Sequence, residues 1–307
     1  MKRQKFELLI LGSSSASPTS ERNPSAQLLN IAERYFLIDC GEATQIQIRK
    51  NKAKLQAIDH IFISHLHGDH FFGLPGLLSS MHLLGRKKCI TIYAPEKLKV
   101  ILNLIFEASD TYLNFEIIWR FTTNDKLNLL FEDDKVLVYS FPLKHRIFCT
   151  GFLFKEKELP RNIDKYKLDK HKISIADIHK LKNGHDVVNE NGELIKNNLV
   201  TINPLPPRSY AYCSDTIYTE TIIDYIKNVN LLYHESTFLD DKIERAKKTF
   251  HSTAKNAAQV AKLANVEKLL LGHFSARYGN LNLFIEEAST IFNKCELATD
   301  GKVFSLS

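Results

Sequence analysis

The segment His65-Leu66-His67-Gly68-Asp69-His70 sets three imidazoles and one carboxylate within six residues. Imidazole nitrogen and carboxylate oxygen are the donors that hold zinc without thiolates, and alternating positions of an extended turn send side chains into one cavity. Gly68 is expected to permit the tight backbone this needs. A polar surface loop, or a histidine-rich stretch that picks up metal adventitiously, accounts less well for such density than a built metal centre. Three further donors stand elsewhere: His145, Asp215 in Tyr212-Cys-Ser-Asp-Thr216, and His273 in Leu271-Gly-His-Phe274. Taken singly, each has an ordinary explanation, since strand-end histidines are commonly just hydrogen-bonded and Ser-Asp-Thr runs form turns or helix caps.

The elements that must position these residues read as strands ending in polar loops. Ile58–Ser64 runs into His65, Val136–Phe141 precedes His145, and Tyr210–Cys213 precedes Asp215; each is a short apolar run that stops at an ionisable residue. Helical spacing appears in Leu74–Leu84, with Pro75 in the first turn, and in Thr253–Leu263, with Ser252 as the expected N-cap. Strands and helices interleave, so a mixed α/β fold is expected. Ile58-Asp-His-Ile-Phe-Ile-Ser-His65 and Val266-Glu-Lys-Leu-Leu-Leu-Gly-His273 share one pattern, as two related halves each presenting a histidine would. The stretch 155–200 lacks this periodicity, carries Asn-Gly turn signals at Asn183 and Asn191, and reads as an insertion. Between Lys155 and Lys182 nine Lys/Arg face five Asp/Glu.

With 307 residues, 44% hydrophobic and 25% charged, the chain has the balance of a globular protein of one large domain or two modest ones. The basic, apolar N-terminus imitates a secretory signal, but Glu7 breaks the short apolar run, so a first strand is expected there. No apolar run nears the ~20 residues that span a bilayer. The chain is therefore expected in the cytoplasm, without a membrane anchor. Five dispersed cysteines without CxxC spacing argue against a disulfide framework or a cysteine zinc site, and buried free thiols are expected. The net charge of +6 suits an acidic partner such as RNA without requiring one.

The HxHxDH segment at 65–70, with His145, Asp215 and His273 following in order, resembles the metallo-β-lactamase superfamily. Further segments resemble its ribonuclease Z family: Leu11-Gly-Ser-Ser-Ser-Ala-Ser-Pro18 with Arg22-Asn23, Phe36-Leu-Ile-Asp-Cys-Gly-Glu42, Ala211–Thr216, His234-Glu-Ser-Thr237, Phe250-His-Ser-Thr-Ala254 and Gly272-His-Phe-Ser-Ala-Arg-Tyr278. The resemblance implies a single domain over 1–307, an αββα sandwich with metals at one edge, and the 155–200 insertion as a substrate-binding arm. It implies two zinc ions, one on His65, His67 and His145, the other on Asp69, His70 and His273, bridged by Asp215. It further implies that Asp69 orients the attacking water and that His251, supported by Glu235, protonates the leaving oxygen. The implied activity removes the 3′ trailer of precursor transfer RNA and leaves a 3′-hydroxyl, in a homodimer.

Two adjacent divalent ions suit such hydrolysis because they activate water and neutralise charge on the phosphate. The family arm commonly carries a Gly-Pro-rich stretch, whereas this chain has Ile173-Ser-Ile-Ala-Asp-Ile-His-Lys-Leu-Lys-Asn-Gly184. Arg208, Arg277 and the Ser13–Ser15 turn are candidates to approach RNA. Two other readings compete: a hydrolase of the same fold acting on a small ester, separated by the arm and the Glu235–His251 pair, and a non-catalytic RNA-binding protein, whose hallmark would be broken metal ligands.

Overall fold

A computed structural model describes residues 3–307 and divides them into two compact units. One comprises the chain up to Lys155 and from Arg208 onward; the other is Glu156–Pro207.

The larger unit holds two seven-stranded sheets. The first runs, edge to edge, Val303–Ser305, Phe6–Gly12, Ala26–Ile31, Arg34–Cys40, Ile58–Phe62, Ile90–Ala94 and Ile117–Phe121. The second runs Cys295–Leu297, Lys268–Gly272, Leu231–Glu235, Ser209–Cys213, Thr150–Glu156, Val136–Pro142 and Asn128–Glu132. Alternating side chains define the layers. Phe6, Leu8, Ile10, Phe36, Ile38 and Phe62 of the first sheet meet Val138, Phe152, Phe154, Tyr210, Tyr212 and Tyr233 of the second in one apolar cluster. The intervening residues, such as Leu11, Leu37 and Ile61, pack outward on Leu74, Leu77, Leu78 and Met81 of helix Leu74–Leu83 and on Leu98 and Leu102 of helix Lys97–Ala108. Ala211, Leu232, Leu269 and Leu271 of the second sheet pack on Ala254, Ala257, Ala258 and Ala261 of helix Ala254–Leu263 and on Phe284. Burial on both faces explains why these strands read as continuous apolar runs. The layers are therefore helix, sheet, sheet, helix.

The two similar segments occupy matching places. Ile58–Phe62 lies parallel to Arg34–Cys40, and Lys268–Gly272 lies parallel to Leu231–Glu235. Each delivers a histidine just beyond its C-terminal end. Helix Ala254–Leu263 is capped one residue later than expected: Thr253 and Asn256 form the capping box, while the Ser252 hydroxyl donates to the Thr216 carbonyl. The cysteines are free, but Cys89 is exposed and Cys295 half-buried, unlike the buried Cys40, Cys149 and Cys213. No helix among the described residues is long and apolar enough to cross a membrane.

Glu156–Pro207 has its own small core of Leu168, Ile173, Leu181, Val187, Ile195 and Val200. It extends past the expected end at 200 because Thr201–Ile202 pairs antiparallel with Asn162–Ile163, closing the segment on itself. Its helices Lys165–Lys170 and Ile178–Lys182 are short, as its weak periodicity foreshadowed.

Candidate metal centre

His65 follows strand Ile58–Phe62, and His67 is the N-cap residue of the one-turn helix Gly68–Phe71 that carries Asp69 and His70. Gly68 matters for space, not conformation: a Cβ there would lie 2.2 Å from the Phe72 ring. At Gly41, a Cβ would come within 2.4 Å of the Asp69 carbonyl oxygen, so this glycine lets the motif helix sit against the end of strand Arg34–Cys40. His145 lies in the connection from Val136–Pro142 to Thr150–Glu156; Asp215 follows Ser209–Cys213; His273 follows Lys268–Gly272 in a left-handed conformation, φ 59°.

These seven residues converge. His65, His67, His145 and Asp215 form one group, and Asp69, His70 and His273 another, the ligating atoms of each group lying within 4.8 Å of one another. His67 Nδ1 is 3.1 Å from His65 Nε2 and 3.2 Å from His145 Nε2. His70 Nε2 is 3.3 Å from His273 Nε2. Asp215 stands between the groups, with Oδ2 3.5 Å from His65 Nε2 and Oδ1 3.1 Å from His273 Nε2.

The outward nitrogens are committed. His70 Nδ1–H donates to Asp39 Oδ2 at 2.7 Å and His145 Nδ1–H to the Phe250 carbonyl at 3.0 Å. A carboxylate oxygen and a backbone carbonyl both accept here, so in their neutral, metal-binding form both imidazoles would turn an Nε2 lone pair inward. Burial, aided by the charge of His70, pushes His65 down to about 4, keeping it a neutral donor. Burial opposes charging His70 as well, yet Asp69, Asp215 and Asp39 overcome it and raise its pKa well above the ordinary value. Buried carboxylates thus demand positive charge here, and buried Asp215 Oδ1 has no hydrogen bond despite its neighbours. Inward lone pairs, an orphaned carboxylate oxygen and an all-nitrogen and oxygen donor set fit a pair of divalent cations.

Beside this cluster, His251 Nδ1 donates to Glu235 Oε1 at 2.9 Å, and its side chain keeps 15% exposure. Glu235 is fully buried and also accepts from the backbone N–H of Thr216, Thr237 and Ser252 and from the Thr237 hydroxyl. Burial raises the Glu235 pKa, but His251 outweighs it and the group stays below its ordinary value. Conversely, burial works to lower His251, while the Glu235 and Asp215 carboxylates lift it to about 9.

His67, Asp69, His145, Asp215, His251 and His273 open onto one cleft of 660 Å³, shared with Ser15–Pro18, Arg146 and Lys248. The Ala16 N–H reaches it, donating to Asp69 Oδ2 at 2.7 Å. Arg208 does not face phosphate: it is 3% exposed, donates to the Leu306 and Gln4 carbonyls and lies over the Phe6 ring. Arg277 is at the surface, over Phe238 and bonded to Ser275. Sequence reasoning gave no role to Asp39, which also accepts from the Ser64 backbone and the Tyr212 hydroxyl, nor to Arg146 and Lys248. Asp39 ends an apolar run, the signal that singled out the donors.

The chain is similar to known proteins in sequence and in fold. The family model of the anti-Pycsar protein Apyc1 matches residues 6–105. Ribonuclease Z of Cytophaga hutchinsonii is 50% identical over 305 residues, covering 98% of this chain and 96% of that one. The crystal structure of the short form of human tRNase Z superposes with TM-score 0.72 at 28% identity, over 98% and 99% of the two chains. The metallo-β-lactamase fold protein YhfI of Bacillus subtilis gives TM-score 0.71 at 17% identity, over 99% and 100%, so the sandwich is the metallo-β-lactamase fold. The chain belongs to the ribonuclease Z family.

Proposed function

We propose that the chain is the endoribonuclease that cuts the 3′ trailer from precursor transfer RNA, leaving the transfer RNA with a 3′-hydroxyl. Besides the family relationship, the observation that carries this is one cleft joining two donor groups to a histidine–carboxylate pair.

His65, His67 and His145 would hold one zinc ion, Asp69, His70 and His273 the other, with Asp215 shared. Bound ions would make water acidic enough to attack near neutral pH and offset charge on the phosphate oxygens. Asp69, its Oδ2 fixed by the Ala16 N–H, accepts a hydrogen bond from the attacking water and so aims it. The water oxygen bonds to phosphorus as the bond to the ribose 3′ oxygen breaks. His251 supplies the proton that oxygen needs: Nδ1–H stays with Glu235, and Nε2–H donates. With its pKa lifted to about 9, His251 carries that proton at neutral pH.

Arg146 and Lys248, exposed at the cleft, suit a polyanion. The Glu156–Pro207 unit serves as the arm that grips the transfer RNA body through lysines such as Lys165, Lys170 and Lys172, whose pairing with phosphate carries no sequence preference. The enzyme works as a cytoplasmic homodimer. The test is metal-replete protein on trailer-containing precursor transfer RNA beside bis(p-nitrophenyl) phosphate. Chelator-sensitive cleavage strongly favouring the RNA is expected; turnover of the small diester alone would replace this reading with that of a small-ester hydrolase.

A further inference from the structure

Two histidines of the donor groups, one from each half of the sandwich, are held by the same three-part arrangement. The Ser64 hydroxyl lies 2.9 Å from Asp39 Oδ2 and 3.0 Å from His65 Nδ1. The Thr237 hydroxyl lies 2.7 Å from Glu235 Oε2 and 2.9 Å from His273 Nδ1. Both carboxylates lie within the last two residues of the strand that runs parallel to the histidine's own strand. Ser64, Asp39 and Glu235 are fully buried and Thr237 is 2% exposed, so bulk solvent does not reach these hydrogen bonds.

A hydroxyl owns a single proton, and an ionised carboxylate only accepts. A hydroxyl that gives its proton to the carboxylate is left as an acceptor toward the imidazole, and Nδ1 must then carry the hydrogen. We propose that Ser64 and Thr237 are positioning residues that fix His65 and His273 in the Nδ1–H tautomer, turning each Nε2 lone pair toward the metals. Neutral, metal-bound His70 and His145 would reach the same state by donating directly to Asp39 and to the Phe250 carbonyl. Thr237 does more, because its oxygen is also 3.2 Å from His251 Nδ1. One hydroxyl thereby joins a metal-facing histidine to the pair assigned to leaving-group protonation. The two relays differ in origin: Ser64 sits on the histidine's side, immediately before His65, whereas Thr237 follows the carboxylate by two residues.

This inference rests on the metal roles proposed above, and its test uses no RNA, so the two fail separately. Zinc affinity is measured by competition with a chromogenic chelator for the full-length chain and for Ser64→Ala, Thr237→Val and Thr237→Ser. Ser64→Ala and Thr237→Val should each weaken one of the two zinc equivalents by about 10–100-fold, the usual effect of removing a partner behind a metal-bound histidine. Thr237→Ser, which keeps the hydroxyl and removes only the methyl, should bind like the parent. Two zinc equivalents held with parental affinity by Ser64→Ala and Thr237→Val would overturn the proposal. So would a Thr237→Ser protein as weak as Thr237→Val, which would make the methyl packing decisive. If Thr237→Val does not fold, Ser64→Ala decides alone: weakened binding supports the relay and parental binding refutes it.

Discussion

Around the cleft, His65, His70, Asp215 and His273 are at most 2% exposed, and the outward nitrogens of the three histidines among them are occupied by protein groups. In Glu156–Pro207 the buried cluster consists of small and medium aliphatic residues, while Tyr166 and Ile175 stand 78% and 84% exposed. There Lys167, Lys180 and Lys196 pair with Asp164, Asp177 and Asp186 at the surface, ion pairs worth little to stability. The centre is over-determined by strands locked between apolar layers, so its geometry exists before substrate arrives. The smaller unit is held by few residues and offers charge and exposed side chains, which suits a grip that need not be exact.

Removing the shared carboxylate should have the largest effect. Asp215→Ala is expected to abolish cleavage of both precursor transfer RNA and a small diester and to lower bound zinc, measured by elemental analysis; full metal content would dissolve the bridging role. His251→Ala comes next, with both zinc equivalents retained and cleavage slowed about 10²–10⁴-fold, the range for a missing general acid. Unchanged turnover in the zinc-loaded variant would defeat that assignment.

Replacing Glu156–Pro207 with a short linker should impair only transfer RNA processing. Its salt dependence should flatten by about 0.7–0.9 in log–log slope for each phosphate no longer neutralised, and equal impairment on the small diester would contradict a substrate-gripping role. Within that unit, Leu181→Ala should cost about 2–5 kcal/mol of local stability, seen as faster amide exchange confined to 156–207. Exchange quickening across both units would erase the contrast.

The smallest effect concerns acid. His60 lies among Phe36, Tyr93 and Phe131, and burial pushes it down to about 4. The unfolded chain takes up this proton near pH 6.5 while the folded chain refuses it until about 4, so stability falls as pH drops through that window. His60→Phe should flatten the decline, by on the order of 1–3 kcal/mol, in denaturant titrations at about pH 7 and about pH 4.5, which span most of that window.

Much of the larger unit was legible because burial writes itself into sequence as apolar runs, and the donors stood out where those runs stopped. The pattern shared by Ile58–His65 and Val266–His273 reflects a real equivalence of strand position. Less was legible where identity depends on a neighbour distant in sequence. Nothing local distinguishes Ser64 or Thr237 from other small polar residues until Asp39 and Glu235 are placed beside them. Arg208 read as a free cation because the chain ends it holds, at Gln4 and Leu306, lie 204 and 98 residues away in sequence. Short helices such as Ile178–Lys182 contain too few turns for periodicity to declare them.

The new 3′ end itself is the most direct test of a two-metal transfer RNA endonuclease. Zinc-loaded protein is incubated with a precursor transfer RNA carrying a 3′ trailer, and the product terminus is mapped and its chemistry identified. A single cut after the acceptor stem is expected, leaving a 3′-hydroxyl on the transfer RNA and disappearing with chelator. Cleavage that survives the chelator, a 3′-phosphate terminus, or no cut at all would contradict it.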